Sequence, residues 1–163
     1  MKKILNLLLL FSIFPVFTAQ NETKVIDSFM TQWHQSAAQA NFDAYFGAMH
    51  KNAVYMGTDA TERWNKKEFE SFAKPYFDRK KAWNFKALKR NVNFSKDGKT
   101  AWIDELLDTQ MKICRGSGVL VLENGKWQII QYVLSMTVPN DISGEVTKMK
   151  TKEEDDLIEK LKF

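Results

Sequence analysis

Residues Arg115–Ser135 contain two apolar runs rich in β-branched side chains, Val119–Leu122 and Gln128–Leu134, joined by Glu123-Asn124-Gly125-Lys126. Such runs on either side of an Asn-Gly pair specify a β-hairpin. The pair leaves two registers open. A two-residue turn at Asn124-Gly125 pairs Glu123 with Lys126 and puts Arg115 on one face with Leu134, with Gln131 on the other. A type I turn with a glycine bulge pairs Leu122 with Lys126, and Arg115, Ser117, Gln131 and Val133 then share a face. The bulged form is favoured because Gly125 supplies a left-handed position after an Asx residue. A one-residue slip exchanges the two faces. The polar side chains Arg115, Ser117, Gln131 and Ser135 among apolar ones suit the wall of a pocket.

The N-terminus reads as a separate segment. Lys2 and Lys3 precede an apolar stretch Ile4–Phe17, and Thr18-Ala19 offers a cut before Gln20. This is the pattern of a signal peptide, so residues 1–19 are expected to be removed and the chain exported, periplasmic or extracellular. The apolar run is short and broken by Pro15, which argues against a stable membrane anchor. Removal of Lys2 and Lys3 lowers the 24 basic residues to 22 against 20 acidic ones, and the formal charge falls from +4 to +2. A near-neutral chain gives no electrostatic basis for binding nucleic acid. Cys114 is the one cysteine, so no internal disulfide can form.

Along the remainder, Val25/Ile26, Phe29/Met30, Trp33, Ala37 and Ala40 recur at helical spacing within 22–40. Asn41 starts a short second helix carrying Phe42, Tyr45, Phe46 and Met49. Residues 53–57 read as a strand. Asn65 with Glu68 three residues on forms a capping box for a third helix, which Pro75 should kink or end. From residue 83 the pattern is that of strands. Trp83–Phe94 and Thr100–Gln110 flank Lys96-Asp97-Gly98-Lys99, then Met111–Leu122 and Trp127–Val138 form the hairpin above. Residues 142–163 are a charged tail with a thin apolar stripe, Leu157, Ile158 and Leu161, expected as a short helix or a mobile end. The class is α+β, with helices packed on one face of a sheet. The last two strands are apolar on both faces, so a second copy is expected on the outer one, giving a homodimer.

An ordered series of motifs carries a family resemblance: Gly57-Thr58-Asp59, Glu62-Arg63-Trp64, Arg90-Asn91-Val92 with Phe94, Ala101-Trp102-Ile103-Asp104-Glu105, Cys114–Leu120, Gly125-Lys126-Trp127 and Pro139-Asn140-Asp141. Over residues 22–141 the chain resembles the SnoaL-like branch of the nuclear transport factor 2-like superfamily. The resemblance implies a cone-shaped fold of the ketosteroid-isomerase type. A strongly bent antiparallel or mixed sheet would wrap N-terminal helices on its concave face around an open pocket, and dimerisation is common. It implies one domain over 20–141 and no single activity, since the superfamily includes isomerases, dehydratases, cyclases, ligand carriers and assembly modules. Enzymatic relatives often pair a histidine with an aspartate in the pocket; here Gln131 and Val133 stand on the last strand where such a histidine is expected.

Candidate site residues follow. Arg90 faces Glu105 or Asp104 across the first hairpin, depending on its turn, so a guanidinium meets a carboxylate in either case. Arg90, Glu105, Arg115 and Gln131 are expected to line one cavity walled by Trp64 and Trp102. Two arginines against one glutamate favour a small anionic ligand. With no base–nucleophile pair in view, a non-catalytic ligand-binding or assembly module is the leading reading. The alternative is an acid–base enzyme of isomerase or dehydratase type using a desolvated Glu105 or Asp104. His34 and His50 lack metal-ligand spacing, so neither a metal nor another cofactor is expected.

Overall fold

A computed structural model describes residues 17–162. The chain runs α1 (Phe17–Ala38), α2 (Phe42–Gly47), β1 (Met49–Met56), β2 (Arg63–Asn65), α3 (Lys66–Asp78), β3 (Lys86–Phe94), β4 (Thr100–Thr109), β5 (Lys112–Glu123), β6 (Lys126–Met136), a single 3-10 turn (Asn140–Ile142) and α4 (Ser143–Leu161). Apart from residues 17–19, which belong to α1, the proposed signal peptide lies outside the described residues. No helix among those residues is long and apolar enough to cross a membrane.

The helices form for the local reasons the sequence supplies. On α1 the buried positions are Ile26, Met30, Trp33, His34 and Ala37, one stripe at steps of three and four. Asn41 caps α2 by accepting from the Ala44 amide at 3.1 Å. The capping box of α3 is complete, with Glu68 N–H donating to Asn65 Oδ1 at 3.0 Å and Asn65 N–H donating to Glu68 Oε2 at 2.9 Å. Pro75 does not end α3, which continues to Asp78. Burial of Phe69, Ala73 and Phe77 along one face holds the last turn in place despite the missing N–H.

The six strands form one sheet in the order β2-β1-β6-β5-β4-β3. Only the β1–β6 pair is parallel; the others are antiparallel, so the sheet is mixed. It is curved and unclosed, and irregularities between Ala87 and Lys89, Val119 and Leu120, and Met49 and Val54 interrupt the ladders. Such bulges increase local twist and bend a sheet. Helices α1–α3 fill the concave side, where Ile26, Trp33, Tyr45, Phe69 and Phe77 pack against Ile103, Leu107, Leu120 and Tyr132.

The first strand after α3 starts at Lys86; residues 83–85 are irregular, and Trp83 and Phe85 turn inward there. The tail is one 19-residue helix, α4, with no buried residue.

The turn at Asn124-Gly125 is the two-residue one. Both residues have positive φ, 52° and 74°, as a type I′ turn requires, and Glu123 pairs with Lys126. The favoured glycine-bulge turn is therefore absent. An extra residue enters further along instead, since Leu120 pairs with Ile129 while Val119 pairs with Gln131. Past that point Arg115 stands opposite Ser135 and Ser117 opposite Val133. The mid-strand bulge thus restores the shared face of Arg115, Ser117, Gln131 and Val133 that a bulged turn would have given.

Candidate functional site

The rows of the sheet decide which side chains can meet. On the concave side one row reads Arg90, Glu105, Gly116, Leu134, and the next reads Val92, Ile103, Gly118, Tyr132. On the convex side the rows read Asn93, Trp102, Val119, Gln131 and Asn91, Asp104, Ser117, Val133. Arg115 pairs with Leu106, one residue out of step with Glu105, and it is exposed.

Several expectations need correction. Arg115, Gln131 and Trp102 do not share a cavity with Arg90 and Glu105; all three lie on the convex face, with Trp102 47% exposed. Asp104 lies on the same convex side, half-buried, accepting from the Asn91 side chain at 2.9 Å. The physical reason is the tight β4–β5 turn, which pairs Thr109 with Lys112 and so sets Glu105 against Gly116. Period-two alternation then sends Arg115 outward. Leu134 lies on the inner face instead and is 4% exposed. Arg90 and Glu105 remain together, and Trp64 lines a separate cleft described below.

Glu105 is 1% exposed and accepts three hydrogen bonds. His34 Nε2 lies 2.7 Å from Oε1, the Tyr132 hydroxyl donates to the same oxygen at 2.7 Å, and Arg90 Nε donates to Oε2 at 2.7 Å. Arg90 Nη1 continues outward to Asp27, donating to its carbonyl at 2.8 Å and its Oδ1 at 2.6 Å, and to Thr31 Oγ1 at 3.1 Å. Burial is the largest single influence on the Glu105 carboxyl and pushes its pKa up. The hydrogen bond and charge of His34, the charge of Arg90 and the Tyr132 hydroxyl together outweigh it and hold the value below the usual glutamate range. Glu105 is therefore an ionised carboxylate held by three protein donors. Tyr132 moves the other way, its phenol raised well above the ordinary value by burial first and then by the Glu105 charge.

Gly116 makes this geometry possible. A Cβ at that position would stand 2.1 Å from the Tyr132 hydroxyl and 2.9 Å from Glu105 Cγ. The space left by the missing side chain is where hydroxyl and carboxylate meet.

The histidine–carboxylate pair expected to be missing is thus present, but the histidine comes from α1 and not from β6. Its sequence signal is position: His34 continues the Ile26, Met30 stripe at a step of four.

Two cavities flank the cluster. One, of about 360 Å³, lies between α1 and the start of β3 and is lined by His34, Arg90, Thr31, Phe85 and Lys86 among others. His34 and Arg90 are both nearly fully buried, and His34 Nδ1 and Arg90 Nη2 have no hydrogen-bond partner. The other, of about 130 Å³, is an aromatic cleft walled by Tyr55, Trp64, Phe69, Phe72, Trp83 and Phe85, with Glu62 at its side. Phe85 borders both. Among the described residues no group of three histidine, cysteine or acidic side chains is placed to hold a metal ion.

This architecture has many counterparts among solved structures. A candidate dehydratase of the NTF2-like family from Streptomyces avermitilis, 9% identical, matches with a TM-score of 0.65 over 75% of this chain and 100% of its own. An NTF2-like protein of unknown function from Pseudomonas putida, 13% identical, matches at 0.63 over 75% and 91%. The association domain of CaMKII from C. elegans, 15% identical, matches at 0.60 over 71% and 96%. At these identities the likeness is one of fold. No functionally curated protein matches the chain in sequence. The SnoaL-like domain profile matches residues 26–139, which include every strand of the sheet and all of α2 and α3. The chain belongs to the SnoaL-like domain family.

Proposed function

We propose that this protein is an exported, non-catalytic module that binds a small anionic molecule in the cavity between α1 and β3. The observation that carries the reading is the distribution of donors around Glu105. Its carboxylate is engaged by three of them and held ionised, so it lacks the raised pKa that a general acid or base near neutrality needs. What is left over is donor capacity. Arg90 Nη2 carries an N–H pair with no partner, and a guanidinium cannot shed its charge. Leaving such a group buried and unpaired is costly, and a carboxylate that enters far enough to reach it would relieve the cost. Lys86 adds a positive charge at the same wall. Export rests on Lys2, Lys3 and the apolar stretch after them; cleavage before Gln20 removes three residues of α1 and leaves the buried Ile26, Met30 and Trp33 on the helix.

Calorimetric titration with small carboxylates should give saturable binding that weakens in Lys86→Glu, an exposed position whose substitution leaves the fold intact. No binding by any member of the panel would sink the reading. A second reading has its own support: a histidine oriented by a carboxylate through Nε2 with Nδ1 uncommitted is the arrangement of an activated base. It makes His34, and not Glu105 or Asp104, the proton acceptor. Deuterium exchange at carbon acids next to a carbonyl, catalysed by the wild type and lost in His34→Gln, would favour it over the binding module.

We also propose a homodimer through the convex face. Trp102 and Ile113 are each 47% exposed there, Val119 and Val133 are half-buried, and Arg115 and Gln131 add hydrogen-bonding groups between them. That mixture of aromatic, aliphatic and arginine side chains suits an interface. The likeness to an association domain points the same way. Light scattering should give a dimer for the wild type and a monomer for Trp102→Glu. A wild type that stays monomeric at high concentration would refute this.

A further inference from the structure

We infer that the aromatic cleft is a second binding site, for a small planar organic cation, independent of the anion cavity. Shape, size and charge each bear on this. The ring planes run nearly parallel through the wall: Tyr55 and Phe69 lie 3.9 Å apart at 13°, Trp64 and Phe72 4.6 Å apart at 22°, and Phe69 and Trp83 5.8 Å apart at 21°. A flat ligand extends such a stack at its open end, where Trp64 and Phe72 are partly exposed. The volume of about 130 Å³ is close to that of an apolar cavity known to accept a single benzene ring, roughly 150 Å³. The ligand is therefore one ring with a small substituent.

The charge comes from Glu62. It is half-buried at the side of the cleft, and among the described residues no cation pairs with it. Its position is held. Asp59 N–H donates to Oε2 at 3.2 Å, and the side chain lies so close over Gly57 that a Cβ there would meet Oε2 at 2.1 Å. The carboxylate also acts on the cleft wall, since after burial its charge is the next largest influence raising the Tyr55 phenol. Aromatic faces and one uncompensated carboxylate attract a cation twice over, once through the ring quadrupoles and once by direct pairing. Trp64 and Phe72 are partly exposed, so the stack is reached from solvent.

Benzamidine and benzoate test this, being planar rings of the same shape and opposite charge. Binding is read at the indole N–H signals of Trp64 and Trp83, which border the aromatic cleft and not the anion cavity. Benzamidine should shift them saturably, with an affinity at least about tenfold above that of benzoate at those signals. Glu62→Gln should reduce benzamidine affinity about tenfold with an unchanged melting temperature, and Trp64→Ala should abolish it. Absence of saturable benzamidine shifts, an equal response to benzoate, or full affinity in Glu62→Gln overturns the inference. Benzoate binding elsewhere, undisturbed by benzamidine, leaves the anion cavity standing on its own evidence and separates the two sites.

Discussion

Replacing Glu105 with alanine should destabilise the protein by about 3–5 kcal/mol, the range seen when one partner is removed from a buried ion pair. The loss is large because three donors depend on one carboxylate. Without it the Arg90 guanidinium, whose side chain is 2% exposed, keeps its charge with only Asp27 and Thr31 beyond, and the Tyr132 hydroxyl and His34 Nε2 lose their acceptor. Thermal and denaturant melts measure the effect. Adding Arg90→Met should restore part of the loss, since the uncompensated charge goes with it. The same carboxylate sets an acid limb. Its folded-state pKa lies below the unfolded one, so its contribution is complete above the ordinary glutamate value of about 4.3 and is lost as pH falls through the lower folded value. The stability gap between wild type and Glu105→Gln should therefore be constant near neutrality and close under strong acid. A gap independent of pH would show that Glu105 does not hold an ionised form in the fold.

Gly116→Ala should cost about 1–3 kcal/mol through overpacking. A further loss of about 1–3 kcal/mol follows if the Tyr132 hydroxyl is driven off the carboxylate and left unpaired. The new methyl would overlap that hydroxyl, whose oxygen lies 2.1 Å from where it would stand. This is a surface-strand substitution by composition and a core substitution by geometry. Tyr132→Phe in the same background removes the overlapping atom, so the double variant should be more stable than the sum of the two single changes predicts. Strict additivity in the melts would mean that Gly116 and Tyr132 do not touch.

The positive-φ Asn124-Gly125 pair, the Asn41 cap and the Asn65–Glu68 box were legible because each depends on residues within a few positions of one another. The cross-strand meeting of Arg90 and Glu105 was legible for a related reason. Both registers of the first hairpin put a carboxylate opposite the arginine, and the structure takes the one with Glu105, closing on a four-residue loop at 96–99 in which Ser95 N–H bonds to the Thr100 carbonyl at 2.8 Å. The α+β class followed from the order of helices and strands, and the family from the resemblance carried by the ordered motif series.

The face of Arg115 and Gln131 was not legible, and neither was the cause of their sharing it: the glycine-bulge turn expected to bring them together is absent, and an extra residue in β6 does so instead. Which side of the sheet that face turns to depends on the β4–β5 turn, and on an extra residue in β6 placed by packing well away from the hairpin tip. The Glu105 cluster was equally out of reach, because its members are brought together across 71 residues from α1 and 27 residues from β6. Local sequence fixes torsions, caps and turns, whose energies are settled within a few residues. The placement of a buried charge is settled only when the whole chain has excluded water around it, since it is then that each unpaired donor or acceptor becomes costly and His34, Arg90 and Tyr132 are drawn to the one carboxylate able to satisfy them.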